Sequence, residues 1–244
     1  MRSVLSLLTV GEPRLSALAF LYLAFSSTAA GQLAPAGTSK VWGSVDNVSV
    51  VGLVQGPATA PTALQIACVF EYTEGDIYHS PPALPAKVNG MVHLDGALKG
   101  LITELRKTGK FAGHANETLV ITPPPGAIAA RRLLLIGLGD RRAFKPESMT
   151  SIGSVALREA LRLGVNDFAF ASDLKDAGID SPTALVAGDV VRGIFQAYRT
   201  EEYLATKGLA SYSPLRKVTL LAGPAYFNTA GDGIREAISD LNRR

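Results

Sequence analysis

Residues 132–136 (RLLLI) and the glycines that follow them are the feature of this sequence that most restricts its fold. A strand with apolar residues at successive positions buries both of its faces, whereas a strand with one face in water alternates apolar and polar residues. Helices must therefore cover both sides of the sheet to which this strand belongs. The run predicts an α/β fold whose sheet lies between two helical layers.

The rest of the chain supplies strands and helices for such a sheet. Apolar and β-branched runs bounded by Gly and Pro predict strands, and apolar residues at helical spacing followed by Gly predict helices. The predicted strands are 48–54, 63–72, 118–122, 132–136, 167–171 and 217–222, and the predicted helices are 95–109, 145–163, 181–198 and 233–243. We expect the first two strands to pair and Asp95 to be the N-cap of the first helix. This order predicts a three-layer α/β/α domain with a mixed sheet.

The first thirty residues have the pattern of an export signal. Arg2 and Arg14 precede an apolar run at 15–25, and small side chains follow at 26–30. The run is shorter than the about 20 apolar residues of a membrane-spanning helix, and a signal peptidase accepts small residues at its cleavage site. We predict cleavage near Ala30, with an uncleaved membrane anchor as the alternative.

This interpretation divides the chain into three parts. The signal peptide occupies 1–30, a flexible mature N-terminus rich in small and polar residues occupies 31–44, and one domain occupies 45–244. The mature chain is expected to be exported, either periplasmic or secreted, with no stable membrane span.

Charge and cysteine content narrow the function. The formal net charge is +3, and the basic residues occur in short pairs without interleaved aromatic residues, so we predict no nucleic-acid partner. Cys68 is the only cysteine and cannot form an internal disulfide. Its apolar neighbours predict a small buried side chain.

Gly137 and Gly139 invite comparison with a dinucleotide-binding turn, Gly-x-Gly-x-x-Gly between a strand and a helix. The third glycine is replaced by Arg142, and Asp140 stands where a phosphate would approach. The pattern therefore favours a tight turn at the carboxyl end of a central strand. Because ligands of open α/β sheets bind beyond that end, Gly137, Gly139 and Asp140 are the candidate ligand-binding residues.

Residue types that hold metals or act as nucleophiles are scattered along the chain. His79, His93 and His114 lie in separate segments without the spacing of a zinc site, and each is expected at the surface. No Gly-x-Ser-x-Gly elbow occurs. We predict no catalytic residue, no metal site and no cofactor.

Four segments, taken in order and with their spacing, resemble the N-terminal domain of the leucyl aminopeptidases, the cytosol aminopeptidase family. They are LDGALKGLITELRKTGKFAGHANETLVI (94–121), AARRLLLIGLGDRRAF (129–144), SVALREALRLGV (154–165) and ALVAGDVVRGIFQAYRTEEY (184–203). The resemblance implies a macro-domain-like α/β/α fold. It also implies that residues 137–139 are the strand end of that family's arginine-apolar-Gly-Leu-Gly signature.

The resemblance does not extend to peptidase chemistry. In that family a separate C-terminal domain holds two metal ions with a lysine, aspartates and a glutamate around an Asn-Thr-Asp-Ala-Glu-Gly-Arg segment. The present sequence contains no such segment, and its residues 231–244 (GDGIREAISDLNRR) resemble the linker helix towards that domain. Because a two-metal hydrolase needs clustered carboxylates, the resemblance implies a non-catalytic chain.

Three functions are compatible with these residues. The first is an exported, non-catalytic, stand-alone domain that binds a protein or a small molecule. The second is a macro-domain-like protein that binds or hydrolyses a nucleotide or an ADP-ribose-type ligand at the carboxyl ends of its strands. The third is the N-terminal half of a split metal-dependent aminopeptidase whose catalytic domain is encoded separately. We expect the first.

Overall fold

One mixed sheet of seven strands organises residues 33–78 and 84–243, which are the residues described by the computed structural model. The strands are β1 (Ser39–Val45), β2 (Val48–Leu53), β3 (Gln65–Val69), β4 (Thr118–Ile121), β5 (Leu133–Gly137), β6 (Asp167–Ala171) and β7 (Lys217–Leu221). Their spatial order is β1-β2-β7-β6-β3-β5-β4. The edge strands β1 and β4 are antiparallel to their neighbours, and the strands between them are parallel. The predicted mixed sheet is confirmed.

Helices cover both faces of this sheet. They are α1 (Gly90–Ala97), α2 (Leu101–Lys107), α3 (Met149–Arg162), α4 (Thr183–Thr206) and α5 (Phe227–Asn242). Single 3₁₀ turns lie at Ala86–Val88 and Pro146–Ser148. None of the helices in the described residues is both long and apolar enough to cross a membrane.

Successive side chains of the central strands point to opposite faces of the sheet, so the core has two parts. In β3, Ile66 and Cys68 pack into the cluster that includes α3, α4 and α5, whereas Ala67 and Val69 pack with α1 and α2. Successive side chains of a strand point to opposite faces, so the sheet lies between two helical layers. All five residues of β5 are buried, which confirms the strand covered on both faces and the three-layer fold.

The prediction of flexible chain at 31–44 is wrong from Ser39 onward, because that residue begins β1. Trp42 and Val45 are buried in the core, and a two-residue turn at Asp46 and Asn47, both with positive φ, returns the chain into β2. The described residues from 33 onward therefore belong to the same compact unit as the residues after 45. The few apolar residues of β1 lie among small or polar ones, so the composition of this segment did not predict a strand. The predicted signal peptide lies outside the described residues.

The expected pairing of the first two predicted strands is also wrong. Residues 48–54 correspond to β2, which pairs with β1 and β7, and residues 63–72 contain β3, which pairs with β5 and β6. Strands that are consecutive in sequence are often neighbours in a sheet. Here β6 and β7, formed much later in the chain, insert between them.

Asp95 does not occupy the predicted N-cap position. The cap of α1 is Asn89, whose Oδ1 accepts hydrogen bonds from the amides of Met91 and Val92, each at 3.0 Å. Asp95 is buried within α1, and its Oδ1 accepts a 2.8 Å hydrogen bond from the amide of Ile102, in the first turn of α2. The Asp95 carboxylate therefore does cap a helix, but it accepts hydrogen bonds from the first amides of α2 and not from those of α1.

Candidate functional site

The predicted ligand-binding glycines form a packed backbone turn. The Gly137 amide donates to the Glu117 carbonyl at 2.8 Å, and the Gly139 amide donates to the Gly113 carbonyl at 2.9 Å. A Cβ atom on Gly137 would overlap the carbonyl oxygen of His114. Residue 137 must be glycine because the turn at 113–117 packs directly against its backbone.

Asp140 is exposed, and its Oδ1 accepts a 2.8 Å hydrogen bond from the Arg142 amide. The structure brings Gly137, Gly139 and Asp140 together at the carboxyl end of β5, and none of them lines the main cavity found among the described residues. Ligand binding by these three residues stays a prediction.

That cavity, of about 280 Å³, opens where β2, β7 and β6 end. Residues 54–57 after β2, 170–176 at and after the end of β6 and 220–224 at the end of β7 form its rim and walls, and α1 and α4 close it from either side. Phe170 and Val190 give it an apolar floor. Its volume is near the lower end of the about 300–1,000 Å³ of ligand pockets.

The connections that follow β3 and β6 border this cavity on the sides of α1 and α4. After β3 the chain continues into α1 on one face of the sheet, and after β6 it continues into α4 on the other face. The two connections leave in opposite directions, which opens a crevice beyond the carboxyl ends of neighbouring strands.

Two carboxyl groups from the loop after β6 stand at one wall. The Cys68 amide donates to Asp173 Oδ2 at 3.2 Å, and the Met91 amide donates to Asp176 Oδ2 at 3.1 Å. The carbonyl oxygen of Asp176 accepts a 3.0 Å hydrogen bond from Asn89 Nδ2. These contacts join the β6–α4 loop to the start of α1.

Burial sets the protonation of this carboxyl pair. Burial, followed by the charge of Asp176, raises the pKa of Asp173 well above its usual range. Burial also raises the pKa of Asp176 to about 6, although the amides of Met91 and Gly90 oppose this shift. Two carboxyl groups that interact closely resist being ionised together. The pair therefore holds a proton more readily than two exposed aspartates would.

The remaining polar side chains of the cavity differ in whether other residues form hydrogen bonds with them. Lys175 Nζ donates to the Ser181 carbonyl at 2.8 Å and to Asp180 Oδ1 at 3.3 Å. Ser181 is 5% exposed and lines the cavity, and no hydrogen bond of its hydroxyl occurs within the described residues. The Lys175 ammonium therefore has two partners, whereas no described residue hydrogen-bonds to the Ser181 hydroxyl.

A buried ion pair supports the wall behind the two carboxyl groups. Arg106 makes a bidentate contact with Asp76, at 2.6 Å and 2.8 Å, and donates to the Phe70 carbonyl at 3.0 Å. Both side chains are almost fully buried. Removing one partner of such a pair leaves an uncompensated charge, so the pair fixes the loop after β3.

The histidines and the cysteine follow the predictions where the structure describes them. His93 and His114 are exposed, and the carboxylate of Glu71, 2.7 Å from His114 Nδ1, raises the pKa of that imidazole. Cys68 is buried, and burial raises the pKa of its thiol. His79 lies outside the described residues. Within the described ranges no cluster of three or more His, Cys, Asp or Glu could hold a metal ion.

Sequence reasoning missed Asp173, Asp176 and Ser181. A usable signal was present, since 167–171 was predicted as a strand and polar residues follow immediately at its carboxyl end. Ligands gather at such ends, but the sequence does not tell which of several strand ends meet around one cavity.

A family model for the N-terminal domain of the cytosol aminopeptidase family matches residues 78–207. A protein named "Probable cytosol aminopeptidase" from Roseiflexus castenholzii is 31% identical over 138 residues, which is 57% of this chain and 28% of the relative. One with the same name from Burkholderia orbicola is 29% identical over 153 residues, which is 61% of this chain and 29% of the relative. The chain thus matches less than a third of the length of these relatives.

Solved structures share the fold. A mutant of tomato leucine aminopeptidase superposes with a TM-score of 0.55 at 19% identity, covering 86% of this chain and 38% of that one. A mutant Oceanobacillus iheyensis macrodomain, solved with ADPR, gives a TM-score of 0.55 at 12% identity, covering 85% of this chain and 100% of that one. At such identities the likeness supports the macro-domain-like fold alone.

Proposed function

The chain belongs to the cytosol aminopeptidase family through its N-terminal domain, and we propose that it acts as a non-catalytic binding domain whose ligand is a small molecule. The observation that carries the proposal is the cavity of about 280 Å³ at the carboxyl ends of β2, β7 and β6. A concave apolar site with a few converging polar groups is the usual form of a small-molecule site.

Narrowing the cavity tests this proposal. Gly56 lines the cavity, and a Cβ atom added there would meet nothing within 4 Å. We expect Gly56→Leu to keep the fold and to weaken any bound small molecule. Gly96→Leu is the matched control, because its added Cβ would also meet nothing within 4 Å and Gly96 does not line the cavity.

The measurement is thermal unfolding of both variants and the parent chain against a panel of metabolites. A compound that stabilises the parent and Gly96→Leu but not Gly56→Leu supports the site. If no compound stabilises the parent chain, and pull-down instead yields a protein partner whose binding Gly56→Leu leaves intact, the small-molecule proposal is wrong.

A nucleotide or ADP-ribose-type ligand is the second candidate. Its support is the fold shared with a macrodomain solved with ADPR, together with a cavity at the strand ends. A ligand present at a hundred times its dissociation constant adds about 2.7 kcal/mol to the free energy of unfolding. Stabilisation by ADP-ribose, lost in Gly56→Leu, would establish this candidate, and the absence of a shift across nucleotides would remove it.

The non-catalytic part of the proposal is tested by leucine-p-nitroanilide hydrolysis with added zinc or manganese and a chelator control. We expect no turnover, because the described residues gather no metal cluster and a two-metal hydrolase requires one. Chelator-sensitive turnover would overturn this expectation. Turnover that arises only when a separately encoded catalytic domain is added would support a split aminopeptidase.

We also propose that the chain is exported. The support is the sequence pattern of residues 1–30, with its basic residues, short apolar run and terminal small side chains. An exported binding domain would meet its ligand outside the cytoplasm.

A further inference from the structure

The charges around the cavity are unequal. Among the lining residues that the structure describes, the side chains that can be charged near neutral pH are Asp173, Asp176, Lys175 and His93. The lysine already donates to a backbone carbonyl and to Asp180, and the histidine is exposed. When it is charged, His93 acts on Asp176 from the exposed side of the cavity, whereas the buried side offers carboxyl groups.

A second observation comes from Ser181. The residue is 5% exposed and lines the same cavity, and its hydroxyl makes no hydrogen bond within the described residues. The hydroxyl oxygen is not one of the fully buried atoms without a partner in the described residues, so it is accessible from the cavity. An accessible hydroxyl at the wall can hydrogen-bond to a ligand that enters the cavity.

We propose that this cavity binds a compact ligand with a protonated amine on an apolar body, the amine facing Asp173 and Asp176 and accompanied by the Ser181 hydroxyl. The inference rests on the proposed function, because it names the class of small molecule for the same site.

The chemistry favours a cation for three reasons. An ammonium has three donors and no acceptor, which suits carboxylate oxygens and a hydroxyl. Charge-assisted hydrogen bonds are stronger than neutral ones, the more so away from water. A buried carboxyl pair that resists double ionisation gains most from an added positive charge. A phosphate or carboxylate group would instead face like charges.

The size of the cavity limits the apolar body. A cavity of about 280 Å³ lies near the lower end of the range for ligand pockets and suits a compact ligand. A branched aliphatic chain of five carbons fits this volume beside Phe170 and Val190.

The test compares three probes of nearly equal shape on the full chain: 3-methylbutylamine, 3-methylbutan-1-ol and 3-methylbutanoate. Dissociation constants are measured at pH 7.5 by ligand-observed NMR titration. We expect the amine to bind at least about tenfold more tightly than the alcohol, since its hydrogen bonds are charge-assisted, and the carboxylate to show no saturable binding.

Substitutions test which side chains produce the preference for the amine. Asp176→Asn is expected to bring the amine and the alcohol within about threefold of each other, because it removes the carboxyl group of the pair that ionises more readily. Asp173→Asn keeps that carboxyl group and is expected to retain most of the preference for the amine. Asp232→Asn is the matched control, since it makes the same change on an exposed side chain of α5 outside the cavity. Ser181→Ala keeps the charges and is expected to weaken all probes that bind.

The outcomes separate this inference from the proposed function. Equal binding of amine and alcohol, or tighter binding of the carboxylate or of ADP-ribose, would overturn the amine class while leaving a ligand site that Gly56→Leu blocks. If no probe or metabolite binds, both fail. If an aspartate variant does not fold, the comparison of the three probes on the parent chain decides alone.

Discussion

At the scale of single residues, the carboxyl group of Asp176 links the cavity to the stability of the fold. It accepts the amide of Met91 at the start of α1 and lies beside Asp173. Burial raises its pKa from 3.8 to about 6, so the folded chain binds more protons than the unfolded chain between those values. The free energy of unfolding should therefore fall as the pH rises through this window.

Asp176→Asn should remove much of that pH dependence. An amide keeps an oxygen for the Met91 amide but carries no charge, so we expect stabilisation on the order of 1–2 kcal/mol at pH 7.5 and little change at pH 4. Urea unfolding at several pH values measures the effect, and Asp232→Asn should retain the parent's slope. An unchanged slope in Asp176→Asn would show that other groups set it.

The Arg106–Asp76 pair is a second residue-scale test. Both partners are buried, so Arg106→Met should leave the Asp76 charge without a partner and cost about 3–5 kcal/mol. The neighbouring Lys107, whose pair with Glu74 is exposed at 3.6 Å, is the control, and Lys107→Met should change stability by less than about 1 kcal/mol. Denaturant unfolding at pH 7 compares them, and equal effects would contradict the assigned role.

At the scale of elements, close packing of α3 against α4 holds one helical layer together. A Cβ atom on Gly193 of α4 would overlap the carbonyl oxygen of Thr150 in α3, and one on Gly153 of α3 would overlap the carbonyl oxygen of Val190 in α4. These reciprocal glycines let the two backbones touch. Because α4 also forms a wall of the cavity, their spacing shapes the site.

Gly193→Ala should push the helices apart and cost at least about 2 kcal/mol through overpacking. Gly96→Ala makes the same change in α1, where the added Cβ meets nothing within 4 Å, and should stabilise by roughly 0.5–1 kcal/mol through helix propensity. We expect the unfolding temperature to fall in Gly193→Ala and to rise in Gly96→Ala. A neutral Gly193→Ala would mean that the helices can separate without loss.

At the scale of the whole molecule, the proposed export predicts the mass of the mature chain. Expression of residues 1–244 in a host with a general secretion pathway should yield an exported chain that starts near residue 31, because small residues precede that position. Intact-mass spectrometry of the exported and retained fractions measures this. Replacing Leu18 and Leu21 with Arg should block export, because it interrupts the apolar run, and a mature chain that keeps residues 1–30 would favour the membrane anchor.

Local patterns determined much of the fold. The strand predicted at 167–171 is β6 residue for residue, and the run at 132–136 lies one residue from the bounds of β5. Both predictions depend on side chains that are near in sequence. The two helical layers followed from the same run, because a strand that is apolar on both faces must be covered on both.

Tertiary structure decided what depends on distant segments. It placed β6 and β7 between β2 and β3, and it made Ser39–Val45 a strand through pairing and not through composition. It also brought Asp176 to the amide of Met91, 85 residues earlier in the chain. The sequence by itself determined most of the elements, the buried strand and the family, because these are set by local periodicity and by ordered motifs. It did not determine β1 or the break between α1 and α2 within the predicted helix 95–109. The cavity and its carboxyl pair were decided only when separate strand ends met at one edge of the sheet.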